Sequence, residues 1–163
     1  MHAPAFLASA VESWAAFYDG HHAVSVTVRY LHLVGLVVGG GTALAADRQI
    51  LKASRSGPQE RSAVVTALHA SHRVVVPALV VVATTGFLMT LADTDTFFAS
   101  RLDWSKLGRV TLLFVNGAGL VAAERALSSG RTQSWLGLGV ASAASLGLWL
   151  AILFAGVWLT VAA

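Results

Sequence analysis

The sequence contains no cysteine, few prolines and few charged side chains. Its 163 residues include no Cys, three Pro and only 12% Asp, Glu, Lys and Arg. The lack of cysteine excludes disulfides, thiolate metal sites, iron–sulfur clusters and cysteine nucleophiles. Soluble domains carry about 25% charged residues, so this low charge content is typical of a protein that lies in a bilayer.

Apolar residues make up most of the chain. Hydrophobic side chains account for 56% of it, and the mean hydropathy is +0.70. One spanning helix needs about 20 mainly apolar residues, so the length allows four spans joined by short loops. We therefore expect an all-α membrane protein, an antiparallel bundle of four transmembrane helices. The apolar runs place this domain at residues 21–163, with spans at about 22–46, 63–92, 106–123 and 135–162.

Residues 1–20 precede the first span and are expected to be retained, because they lack the basic start and strongly apolar core of a signal peptide. Aromatic and apolar side chains recur there at helical spacing, which predicts a short amphipathic helix at the membrane surface. Asp19 and Gly20 are expected to end it. The side chains with this spacing are Phe6, Leu7, Val11, Trp14, Phe17 and Tyr18.

Basic residues are distributed unequally among the loops. The first and third loops hold six Lys and Arg, against three around the second loop. Because cytoplasmic loops are enriched in Lys and Arg, we expect both termini outside. The net charge of +3 is interpreted as a topology signal, and no nucleic-acid partner is expected. The six basic residues are Arg48, Lys52, Arg55, Arg61, Arg125 and Arg131.

Ionisable side chains inside the predicted spans are the functional candidates. Each costs about 2.5–3.5 kcal/mol on insertion, so such side chains usually face the protein interior. Helical spacing places Arg29, His32 and Gly40 on one face of the first span. It likewise groups His69, His72 and Arg73 on the second span, and Arg109, Asn116 and Gly119 on the third.

Histidines on two helices of one bundle predict a b-type haem site. Imidazoles ligate the iron, arginines pair with propionates, and glycines let the macrocycle approach the backbone. A hairpin that turns about Ser54 places His32 opposite Val76, about 6 Å from the level of His72, whereas a turn about Ser56 gives about 12 Å. In this hypothesis His32 and His72 are the axial ligands of the iron, and Arg29 and Arg73 pair with the propionates. Gly39 and Gly40 leave room for the macrocycle. His69 and Asn116 are further cofactor contacts.

The predicted haem site makes the protein a small cytochrome-like subunit that takes part in electron transfer. Two other functions compete with this prediction. A copper or other metal-handling protein would use His21, His22 and His32, with His72 as a further ligand. A non-catalytic subunit of a larger membrane complex would use its histidines for packing, its triple glycine as a packing surface and His69 as an interfacial residue. A homo-oligomer or partner subunit is expected in each case, and the haem hypothesis adds a quinone. Independent catalysis is not expected, because hydrolase, zinc-protease and nucleotide motifs are missing and no carboxylate is expected at mid-span.

Several short motifs resemble a group of uncharacterised bacterial four-helix inner-membrane proteins. They are the segment YLHLVGLVVGGGTALAADRQIL at residues 30–51, a Thr-Gly pair in the second span, and a third span that begins at a lysine and carries an asparagine. The chain is also loosely similar to copper-resistance D-type domains and small b-type cytochrome subunits. The resemblance covers about residues 25–120 and implies a four-helix fold, a location in a bacterial inner membrane and a role for His32. The matching positions are His32, Gly35, Asp47, Arg48, Thr85, Gly86, Lys106 and Asn116.

Overall fold

The fold is described from a computed structural model, which places residues 5–99, 101–129 and 134–162. These residues form helices and short turns, with no strand among them. The elements are α1 (Ala5–Gly20), α2 (His22–Gly35), a π-helical turn (Leu36–Gly40), α3 (Gly41–Ala53), α4 (Pro58–Ala92), α5 (Thr94–Ala99), α6 (Arg101–Ser128) and α7 (Ser134–Ala162).

Four helices of the described chain are long and apolar enough to cross a membrane, as the hydropathy pattern predicts. Every predicted span has a counterpart, but the helices are longer than the apolar runs, because backbone hydrogen bonding continues through flanking polar residues. The candidate spans are His22–Ala53, Pro58–Ala92, Leu107–Leu127 and Trp135–Trp158.

The first loop is much shorter than predicted. The charged stretch 47–62 was expected to be loop, but α3 continues to Ala53 and α4 begins at Pro58. Pro58 occupies the first turn of α4, where its missing N–H costs nothing. The Arg61 guanidinium donates hydrogen bonds to the carbonyls of Ala53 and Ser54, at 3.3 and 2.7 Å. The first turn of α4 therefore caps the end of α3 instead of lying beside it.

This capping moves the pairing register between the first span and α4. A Cβ on Gly35 would meet Val82 at 2.7 Å, and one on Gly39 would meet Ala78 at 2.8 Å. His32 is bonded to Thr85. Both registers considered from the sequence, with His32 opposite Val76 or opposite residue 80, are thus wrong, because the first turn of α4 is used for the cap.

The first span is interrupted by a π-helical turn at Leu36–Gly40. Such a turn contains one extra residue, which rotates the following residues by about 100° around the axis relative to an unbroken α-helix. Gly39 and Gly40 at its end are buried against Ala78 and the Trp149 ring, respectively. The triple-glycine segment is therefore a packing surface at these two positions.

Two apolar clusters hold the long helices together. The first consists of Ile50, Leu68 and Leu138, and the second of Leu113, Trp149 and Ile152. On α7 the two clusters lie eleven residues apart, about 16 Å along the axis. The segment between them is the part of the bundle that carries the polar side chains described below.

Helix α1 packs against α4 and α2. The Trp14 indole N–H donates to the Leu88 carbonyl at 2.9 Å, and the Tyr18 hydroxyl, in a buried ring, donates to the Ser25 carbonyl at 3.4 Å. The helix ends at Gly20, as predicted. These contacts attach the N-terminal helix to the bundle through the polar ends of two aromatic residues.

Candidate functional site

A cavity lies between α3, α4, α6 and α7, in the segment that separates the two apolar clusters. Its volume is about 260 Å³, and most of its wall is aliphatic or aromatic. An apolar cavity with a few converging polar groups is the usual form of a small-molecule site. The polar side chains of its wall are Asp47, Ser71, His72, Glu124 and Ser145, and no described Lys or Arg lines it.

Glu124 joins α6 to α4 through two histidines. Its Oε1 lies 2.6 Å from His69 Nδ1, and its Oε2 lies 3.0 Å from His72 Nδ1. The carboxylate side chain is 3% exposed, whereas the exposed fractions are 74% for His69 and 29% for His72. A carboxylate only accepts hydrogen bonds, so both imidazoles hold a proton at Nδ1. The arrangement is a buried acid whose charge is compensated by two N–H donors.

Asp47 is the second buried acid of this layer. It is 3% exposed and lies in the wall of the cavity. Asp47 has Ser142 and Ser145 on α7 as polar neighbours, and the Ser142 hydroxyl is itself without a hydrogen-bond partner among the described residues. Its Oδ2 has no hydrogen-bond partner among the described residues. A buried polar atom without a partner costs free energy unless something in the cavity binds it.

The cavity opens sideways between α4 and α6. These two helices pack only sparsely against each other in the described part of the chain, whereas α6 packs closely along α7. Val76, Val80 and Phe114 line the cavity and yet are 52%, 60% and 43% exposed. This surface belongs to two candidate membrane spans, so the lateral opening faces the side on which lipid would lie.

His32 lies in a separate polar contact between α2 and α4. Its Nδ1 is 2.9 Å from Thr85 Oγ1, and the Thr85 hydroxyl itself donates to the Val81 carbonyl at 2.6 Å. A hydroxyl has one proton, so Nδ1 of His32 is the donor in the first contact. Gly86 leaves room for the imidazole, because a Cβ there would lie 3.3 Å from His32 Cε1. Three positions of the family resemblance, His32, Thr85 and Gly86, thus form one contact.

The structure does not bring His32 and His72 together. Thr85, the partner of His32, follows His72 by 13 residues on α4, about 20 Å along the helix axis. His72 is turned towards Glu124 on α6. One haem iron needs both imidazoles within bonding distance, so this pair does not fit a bis-histidine haem. The register thus places the two members of the predicted axial pair at different levels.

The other predicted haem contacts are also separated. Gly39 and Gly40, expected to give clearance to a macrocycle, are filled by Ala78 and Trp149. Arg29 and Arg73, the expected propionate partners, are exposed on different helices, near His32 and His72 respectively. The described residues therefore offer no common pocket for a ring and its propionates.

The remaining predicted ligands serve local contacts. The Asn116 amide donates to the Ala141 carbonyl at 2.9 Å and joins α6 to α7. The His21 ring stacks on Phe17 with 4.1 Å between centroids, and His22 is exposed. Within the described ranges, no three histidine or acidic side chains are arranged to hold a metal ion. An outer route from His21 and His22 to His32 has no such site along it.

Sequence reasoning missed both buried acids. It assigned Asp47 to the exit of the first span and Glu124 to a polar connection, and it expected no carboxylate within a span. A signal was present for each: Gly40, Ala43, Asp47 and Ile50 recur at intervals of three and four residues, as do Leu113, Gly117, Leu120 and Glu124. Each acid continues the buried face of its helix, and neither marks a loop.

Comparison of the chain with protein-family models, curated proteins and solved structures found no match. The family resemblance given above thus stays a prediction. The chemistry of the site is that of two buried carboxylates, a serine pair and an apolar cavity.

Proposed function

We propose that the protein is a non-enzymatic integral membrane protein that binds a small, largely apolar molecule in the cavity between α3, α4, α6 and α7. One observation carries this proposal: a cavity of about 260 Å³ lies between two apolar clusters and is lined by the polar layer around Asp47 and Glu124. A cavity of about 150 Å³ is enough for benzene, so this one accommodates a phenyl ring with a short chain.

The proposed setting is a bacterial inner membrane, with the four spanning helices antiparallel, both termini outside and α1 at the outer surface. The loop charges support this orientation. Trp104 and Trp158 are exposed, as expected of rings at headgroup depth. In this setting the lateral opening between α4 and α6 connects the cavity with the lipid, so the ligand enters from the bilayer and no electron transfer is required.

Filling the cavity is expected to abolish ligand binding. A Cβ on Gly117, which lines the cavity, has no other atom within 4 Å, so Gly117→Phe projects a ring into open space. The purified protein in phosphatidylcholine nanodiscs is titrated with a ring-fluorinated phenylbutanol and observed by fluorine NMR. The wild type should show a saturable shifted signal, and Gly117→Phe should lose at least tenfold in affinity.

Gly119→Phe is the matched control for this titration. Gly119 lies on the same helix, is exposed, lies outside the cavity wall and has equal room for a Cβ. This variant should bind like the wild type. Equal signals from all three proteins would mean that the probe only partitions into lipid, which would contradict the proposal.

Absorbance provides the test against the haem alternative. Because Thr85, the partner of His32, lies about 20 Å from His72 along α4, the full-length protein from haem-replete cells should show no bis-histidine cytochrome spectrum. A Soret band with sharp reduced α and β bands that disappears in both His32→Ala and His72→Ala would establish the haem function and refute the arrangement of helices described here.

A further inference from the structure

We propose that the ligand of this cavity is a cation, an apolar molecule with a protonated amine that binds Asp47. This inference rests on the proposed function and names the ligand class of the same site. It starts from the buried oxygen Oδ2 of Asp47, which accepts no hydrogen bond from the described residues.

The described residues leave part of the hydrogen-bonding capacity of this carboxylate unused. Ser142 and Ser145 lie beside Asp47, which is 3% exposed in the cavity wall. The second oxygen accepts nothing from the described residues. An ammonium group supplies both missing features, a hydrogen-bond donor for Oδ2 and a positive charge beside a buried negative one.

The charge balance of the cavity favours the same ligand class. Glu124 is compensated by His69 and His72, so its charge is already partnered within the protein. No described Lys or Arg lines the cavity, and His72, the basic side chain in that wall, is turned towards Glu124. An anionic ligand would face two carboxylates, and a neutral ligand would leave the Asp47 charge uncompensated.

The shape and the opening define the rest of the ligand. Away from Asp47 the cavity wall consists of residues such as Val75, Leu79, Leu113 and Trp149, which suit an aliphatic or aromatic body. The lateral opening is bordered by exposed Val76 and Val80. A molecule that partitions into lipid through its apolar body reaches the cavity by this side, with its amine directed to the polar layer.

The experiment compares three probes of one shape in phosphatidylcholine nanodiscs by fluorine NMR. They are ring-fluorinated phenylbutylamine, phenylbutanol and phenylbutyrate, and Gly117→Phe supplies the correction for partitioning into lipid. A charge-assisted hydrogen bond exceeds a neutral one by about 1.4 kcal/mol, so the amine should bind the wild type about tenfold more tightly than the alcohol. The carboxylate probe should bind more weakly than both.

Asp47→Asn removes the charge and keeps the size of the side chain. In this variant the amine should bind no more tightly than the alcohol, whose own affinity should change less than threefold. Asp95→Asn, the same exchange at an exposed position, should preserve the preference for the amine.

The wild-type comparison alone decides the inference if Asp47→Asn does not fold. Equal affinities for amine and alcohol, both abolished by Gly117→Phe, would refute the cation and leave the apolar site standing. Indifference of all probes to Gly117→Phe would refute the site itself. Retention of the amine preference in Asp47→Asn would likewise overturn the role of this carboxylate.

Discussion

Replacing Glu124 with alanine is expected to destabilise the bundle by about 3 kcal/mol. A hydrogen bond to a charged group contributes about 1.5–3 kcal/mol, and Glu124 accepts two of them. The lower end applies here, because the His69 side chain is 74% exposed and regains water when the acid is removed. The loss also removes the contact that holds α4 to α6 beside the cavity. Unfolding by SDS, followed by circular dichroism, measures the difference.

Two further variants make this measurement specific. Glu124→Gln keeps the volume of the side chain and one oxygen acceptor. Its free energy of unfolding should therefore lie between that of the wild type and that of Glu124→Ala. Glu12→Ala removes an exposed acid of α1 and should change the free energy of unfolding by less than 0.5 kcal/mol, roughly the usual range for surface substitutions. A cost below about 1 kcal/mol for Glu124→Ala would show that the two histidine contacts contribute little to stability.

Gly39→Ala is expected to destabilise the protein by about 1–3 kcal/mol. The added methyl group would lie 2.8 Å from the Cβ of Ala78, an atom that has no rotamer by which to move aside. The two helices must separate, and overpacking of this kind costs about 1–3 kcal/mol. The same SDS titration, together with thermal unfolding in detergent, gives the change.

Gly41→Ala is the control, since the same substitution two residues away meets no atom within 4 Å. Alanine is a better helix former than glycine, so this variant should gain up to about 1 kcal/mol. The two substitutions therefore have opposite expected signs in one short segment. A loss of stability in both would point to the flexibility of the π-helical turn, and a gain in both would contradict the close approach of α4 at Gly39.

The cavity relates these two effects to binding. Gly39 and Glu124 determine how closely α4 approaches the first span and α6, respectively. The stability of the bundle and the geometry of the lateral opening thus depend on the same helix. In the proposed function, α4 is the helix that separates the ligand from the lipid.

The positions that resemble a known group are only partly explained by the cavity. Asp47 belongs to its wall, whereas His32, Thr85 and Gly86 form their contact farther along α4, beyond the last residue of that helix that lines the cavity. Gly35 packs against Val82 and the backbone of Ala78. Most of the motif thus supports the packing of the first span on α4, and the sequence offered no basis for separating that role from ligand binding.

Composition and periodicity by themselves determined the helical class, the four candidate spans and several helix ends. A long apolar run in a bilayer must satisfy its own backbone hydrogen bonds, so it forms a helix independently of the helices around it. Local chemistry was equally sufficient at Gly20, which ends α1.

Only the tertiary structure decided which side chains meet. Helical spacing shows that His69 and His72 share a face, but the partner of that face depends on register, which the Arg61 cap and the glycine contacts set. The π-helical turn further rotates the segment that bears Asp47. For this reason the two histidines predicted to bind one iron lie at different levels. The two acids assigned to helix ends are buried beside a cavity. Pairing across helices depends on close packing between distant segments, which no local pattern encodes.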